Sequence, residues 1–107
     1  MTELEAEDAK LLTLARATRA RTGAAQGAAV RDTDGRTYAG ASVSLASLQL
    51  SALQVAVALA LSSGAPGLEA ALVYAGEPSD PSGVAAVTEV SQDAQVYFAD
   101  ELGSVLT

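Results

Sequence analysis

Cysteine and histidine are both absent from this chain of 107 residues. Disulfides and thiolate metal sites are therefore excluded, and so is any nucleophilic serine that depends on an imidazole for activation. Aromatic residues make up only 4% of the chain and alanine is abundant, with 24 copies, so the core has to be built from Leu, Val and Ala. Small side chains then set how closely the elements approach. Basic residues are also scarce: Lys10, Arg16, Arg19, Arg21, Arg31 and Arg36 are the whole set, and residues 37–107 carry acids only. A net charge of −7 argues against nucleic acid as a partner, because phosphate contacts need clustered Lys and Arg.

The apolar content of 50% suits a single compact domain. A thin core at this length favours oligomerisation. The acidic opening Thr2-Glu3-Leu4-Glu5 does not resemble a signal peptide, and the lack of cysteine fits a reducing cytoplasm. The uncharged stretch from Thr37 to Leu68 is punctuated by Ser, Gln and Gly, and its apolar helix falls short of the ~20 residues that span a bilayer. No membrane partner is expected.

Thr2 and Glu5 form a capping-box pattern ahead of a stripe through Leu4, Leu11, Leu14 and Ala15, which predicts a helix from about Glu3 to Arg21. The basic cluster Arg16 to Arg21 then complements the helix dipole, and Gly23 stops the helix. Two strand-like runs, Gly27 to Arg31 and Thr37 to Val43, flank Asp32-Thr33-Asp34-Gly35, whose Asp-Gly pair marks a hairpin turn. From about Ser47 to Ser63 the pattern is helical in length but apolar nearly all round, so this helix must be buried in the fold or against another subunit. After the breaker Gly64-Ala65-Pro66-Gly67 come a central strand (Leu68 to Ala75), a loop to Pro81, a helix from Ser82 to about Val90 and a strand at Gln95 to Ala99. A turn and a short fifth strand are expected around Leu102 to Val105.

Gly27-Ala28-Ala29-Val30, followed by Asp34-Gly35-Arg36-Thr37-Tyr38-Ala39-Gly40, resembles the Val-Gly-Ala-Ala strand, Asp-Gly turn and Tyr-x-Gly strand of the zinc-dependent cytidine deaminases. Ser51-Ala52-Leu53-Gln54-Val55-Ala56 is similar to that family's Cys-Ala-Glu-Arg-x-Ala at the start of a buried helix. The resemblance implies an α/β fold, a three-layer α/β/α arrangement with a mixed sheet of four to five strands. It places Ser51 at a zinc ligand and Leu53 at the proton-shuttling Glu, with Ser79 and Ser82 in the loop of the later ligand pair and Ser42 and Ser44 at the ribose-contacting Asn and Glu. A neutral serine hydroxyl does not hold zinc, and without the metal no bound water is acidified.

The resemblance thus implies a catalytically inactive relative without metal or cofactor. The expected partners are further copies of the chain, as a dimer or tetramer through the Leu48 to Leu61 helix, with an unknown protein or small ligand as an additional partner. The competing reading is a family hydrolase acting on cytidine or a related nucleoside through unrecognised metal ligands. Tyr74, Glu77 and Asp80 gather near the same loop and read as a solvated acidic segment.

Overall fold

The computed structural model describes residues 4–76 and 79–106. In chain order the elements are α1 (Ala6–Thr22), β1 (Gly27–Asp32), β2 (Thr37–Ala41), β3 (Val43–Ser44), β4 (Gln49–Leu50), α2 (Ala52–Ser62), β5 (Leu68–Tyr74), α3 (Pro81–Val90), β6 (Gln95–Ala99) and β7 (Val105–Leu106). The main sheet has five strands in the order β2-β1-β5-β6-β7, and β5 and β6 form its parallel pair. The expected mixed sheet is therefore present with five strands. Its short last strand, expected around Leu102 to Val105, lies at Val105–Leu106 and follows a turn at Glu101–Gly103.

The sheet separates two cores, which makes the three layers. Leu11 and Ala15 of α1 pack on Ala29, Leu72, Tyr74 and Ala99 on one face. On the other, Leu53, Ala56, Val57 and Ala60 of α2 and Val87 of α3 cover Ala28, Val30, Ala71 and Val73. Period-two alternation explains how β1 and β5 serve both sides, so nearly every position of both strands is buried.

Glycine sets how close the helices come. A Cβ on Gly27 would run into the Ala15 carbonyl of α1, and one on Gly40 would lie 2.8 Å from the Ala56 backbone nitrogen of α2. Each helix backbone therefore rests directly on a strand of the same hairpin. At the turn between these strands Gly35 holds φ at +87°, the left-handed conformation that a hairpin turn demands of it.

Buried charge fastens the end of this hairpin. The Asp32 carboxylate is fully buried; its Oδ1 accepts N–H bonds from Asp34 and Arg36, both at 2.9 Å, and its Oδ2 accepts the Tyr38 hydroxyl proton at 2.8 Å. Burial pushes this carboxyl up, but the Tyr38 hydroxyl and the two backbone amides outweigh it and hold it below the usual carboxylate range. Arg31, one residue earlier, faces α1. It donates to Asp8 at 2.9 Å, to Glu69 at 3.0 and 3.1 Å and to the Glu7 carbonyl at 3.0 Å, while Tyr97 donates to the other Asp8 oxygen at 3.0 Å. A β-bulge makes this possible. The register slips so that Arg31 faces Ala70 while Asp32 faces Leu68, and the intervening Glu69 swings toward the guanidinium.

Two expectations need correction. The apolar helix starts at Ala52, not near Ser47, because Leu45 and Leu48 close a tight β3-β4 ribbon through reciprocal backbone bonds of 2.9 and 3.3 Å. Local backbone pairing overrides hydropathy there. At α1 the N-cap is Glu5 with no side-chain cap, and Thr2 of the expected capping box lies outside the described residues. The basic cluster also does more than face the dipole, since the Arg16 and Arg19 guanidinium carbons sit 5.2 and 5.7 Å from the Tyr74 ring centroid.

Candidate functional site

The carboxyl end of β5, the start of α2 and the start of α3 meet at one edge of the sheet. Open α/β sheets place their ligand crevices at such edges. Ser51 opens α2 as its N-cap. Its Oγ accepts the Gln54 N–H at 3.1 Å and its own N–H donates to Gln54 Oε1 at 2.9 Å, a complete capping box. The sequence favours this locally because Ser followed three residues later by Gln supplies both partners.

Leu53, the second residue of α2, is fully buried and belongs to the core beneath the sheet. Across from it lies the first turn of α3, where a Cβ on Gly83 would stand 3.0 Å from the Leu53 Cβ. Pro81 at the first helical position and Asp80 as N-cap start that helix, and Asp80 Oδ1 accepts the Gly83 N–H at 3.1 Å. Its Oδ2 lies over Gly83 and, among the described residues, is the buried side-chain polar atom with no hydrogen-bond partner. Tyr74 points to the other face and donates its hydroxyl to the Glu101 carbonyl at 2.8 Å, so it does not join Asp80; Glu77 lies outside the described residues.

Ser42, half-buried between β2 and β3, is tied to Gln26 in both directions: its N–H donates to the Gln26 carbonyl and its Oγ accepts the Gln26 N–H, each at 3.2 Å. Gln26 then reaches α2, its Oε1 accepting the Ala52 N–H at 3.1 Å. A hydrogen-bonded chain thus runs from Ser42 through Gln26 to the residue beside Ser51. Ser44 is exposed on the β3-β4 ribbon, and Ser79 and Ser82 are exposed at the β5-α3 connection. The fold brings Ser42, Ser51, Leu53 and the first turn of α3 to one edge and leaves Ser44, Ser79 and Ser82 facing solvent.

Gln26 carried no chemical signal in the sequence. A single glutamine at a strand start has no motif, and its role depends on α2 lying 26 residues away in the chain. Two cavities, of about 420 and 270 Å³, lie elsewhere: one is lined by Thr33, Glu69, Ser91 and Asp93 at the amino ends of β5 and β6, the other by Lys10, Thr13, Leu14 and Thr37.

The donor set does not fit zinc. Such sites use thiolate, imidazole or carboxylate, whereas among the described residues this edge offers a hydroxyl committed to a helix cap, an apolar side chain and one carboxylate oriented by its own helix.

No curated protein matches the chain. Among solved structures it is similar to the cytidine deaminase of Burkholderia pseudomallei, at 23% identity over 99% of this chain and 91% of that one, with a TM-score of 0.77. It is also similar to the cytidine deaminase of Mycobacterium leprae, at 20% identity, 96% and 94% coverage and a TM-score of 0.73. The cytidine deaminase of Mycobacterium tuberculosis superposes with a TM-score of 0.74 at 21% identity, covering 94% and 89% of the two chains. At these identities the likeness is one of fold. A family model described as cytidine deaminase-like matches residues 4–103, and the chain belongs to that cytidine deaminase-like family.

Proposed function

We propose that this chain is a non-catalytic member of the family, working as a self-associating or a protein- or ligand-binding module. The observation that carries the reading is Leu53: a fully buried, apolar side chain stands where the resemblance calls for a proton-shuttling carboxylate. Deamination needs a group that moves a proton between water, ring nitrogen and leaving ammonia, and a leucine has none to move. Ser51 supports the same reading, since its hydroxyl caps a helix. Ser79 and Ser82, in the loop that the resemblance assigns to the later ligand pair, offer neutral hydroxyls there.

Self-association is supported by apolar surface. Leu45, Leu48, Leu59 and Leu61 are each about half exposed on a single chain, on and beside the helix expected to be covered. The competing reading, a hydrolase with a metal on unrecognised ligands, has, among the described residues, only the orphaned Asp80 oxygen in its favour. Elemental analysis of the purified protein, joined to an ultraviolet assay of cytidine loss, separates the two. The expected result is substoichiometric metal and no turnover; one tightly held zinc per chain with release of ammonia would overturn the proposal.

A further inference from the structure

Gln26 does something that neither the fold nor the family resemblance requires. Ala52 is the first residue of α2, so its N–H is one of the four donors that a helix start leaves without an intrahelical partner. The Ser51 hydroxyl serves the N–H of Gln54, and that of Ala52 is taken from outside the helix by the Gln26 carboxamide at 3.1 Å. The other end of the same carboxamide lies against Gly76, where a Cβ would collide with Nε2. With its backbone paired to Ser42, this half-buried side chain bridges the start of β1, the start of α2 and the residues following β5. These are the segments that form the rim of the degenerate site. If Gly27-Ala28-Ala29 is matched to the Gly-Ala-Ala of the Val-Gly-Ala-Ala motif, its leading Val falls on Gln26. A valine there has neither a donor nor an acceptor to offer.

We infer that Gln26 is an internal latch: its amide carbonyl takes the Ala52 N–H while its Nε2 rests against Gly76, and this pair of contacts ties the start of α2 to the residues after β5 and keeps the edge closed. The inference rests on the reading that the site is degenerate. Its test uses the exchange rate of the Ala52 amide, followed by NMR on the full chain, and does not depend on metal content or turnover. Either proposal can therefore fail alone. With global stability subtracted, Gln26→Val is expected to speed exchange at Ala52 by roughly tenfold or more, the size of one hydrogen bond. Gln26→Glu keeps the acceptor and is expected to retain protection. Gly76→Ala is expected to give the same loss as Gln26→Val while Gln26 itself is present, because the new Cβ displaces the flexible carboxamide. Should Gln26→Val fail to fold, the contrast between Gln26→Glu and Gly76→Ala decides alone. Unchanged Ala52 exchange in Gly76→Ala or in a folded Gln26→Val would overturn the latch. A shift of the wild-type Ala52 resonance on adding millimolar cytidine would do so too, since the latched edge is expected to give none.

Discussion

Leu53 and Asp32 are both fully buried, and they define opposite ends of what one side chain does in this molecule. Leu53 is held by packing alone, so Leu53→Ala is expected to cost about 3 kcal/mol, the transfer term plus the cavity, read as a lower urea midpoint. Leu53→Glu is expected to be worse, because a carboxylate would have to ionise among Ala56, Val57 and Val87. A Leu53→Glu protein as stable as the parent would show that the pocket is still open to water. Ser51→Ala is expected to cost about 1 kcal/mol, the ordinary worth of an N-cap.

Asp32 makes a pH prediction. Its carboxyl is lower in the folded chain than unfolded, so its contribution is present above the unfolded value of about 3.9 and is lost as pH falls through the folded one. Tyr38→Phe removes one of the bonds holding it down, and the acid-unfolding midpoint by circular dichroism is expected to move to higher pH. Tyr38 and Tyr97 run the other way. The hydrogen bond to Asp32 raises Tyr38; burial and then the bond to Asp8 raise Tyr97. Their contribution is present below about pH 10 and disappears as pH climbs through the folded values.

At the scale of elements, the hairpin β1-β2 is the piece against which both helical layers are set. Gly27 receives the α1 backbone and Gly40 the α2 backbone, and neither contact leaves room for a methyl group. Gly27→Ala and Gly40→Ala are each expected to destabilise by about 2–3 kcal/mol through forced separation of a helix from the sheet. If chemical denaturation finds either variant within experimental error of the parent, the close approach is not required. Element positions were largely legible in the sequence, because periodicity, the Asp-Gly turn and the Gly-Pro breaker are local signals. The start of α2 was not. Leu48 reads as helix by hydropathy, yet a two-residue ribbon closed by backbone bonds wins over it. The bulge that delivers Glu69 to Arg31 was equally hidden, since it depends on the register between two strands far apart in the chain.

For the whole molecule, the decisive quantity is uncovered apolar surface set against net charge. The exposed leucines at 45, 48, 59 and 61 lie in the stretch between Thr37 and Leu68 that carries no charged residue, so this apolar surface brings no charge of its own segment to be desolvated against a second copy. Light scattering at micromolar concentration is expected to give a homo-oligomer, and Leu59→Glu with Leu61→Glu is expected to give a monomer of unchanged circular dichroism. Added salt is expected to tighten the assembly by screening the −7 charge that each copy brings. A wild-type monomer under these conditions would remove the support for self-association. No helix of the described residues is long and apolar enough to cross a membrane.

The amino-acid sequence alone determined that no thiolate or imidazole is present, the order of the elements and the alternation that lets one sheet carry two cores. These follow from residue type and from neighbours a few positions apart. The tertiary structure alone decided that Leu53 faces Gly83, that Arg31 ties the hairpin to Asp8 of α1, and that Gln26 reaches Ala52. The contacts of Leu53, Arg31 and Gln26 join residues distant in the chain, and their geometry exists only once helices and sheet have packed.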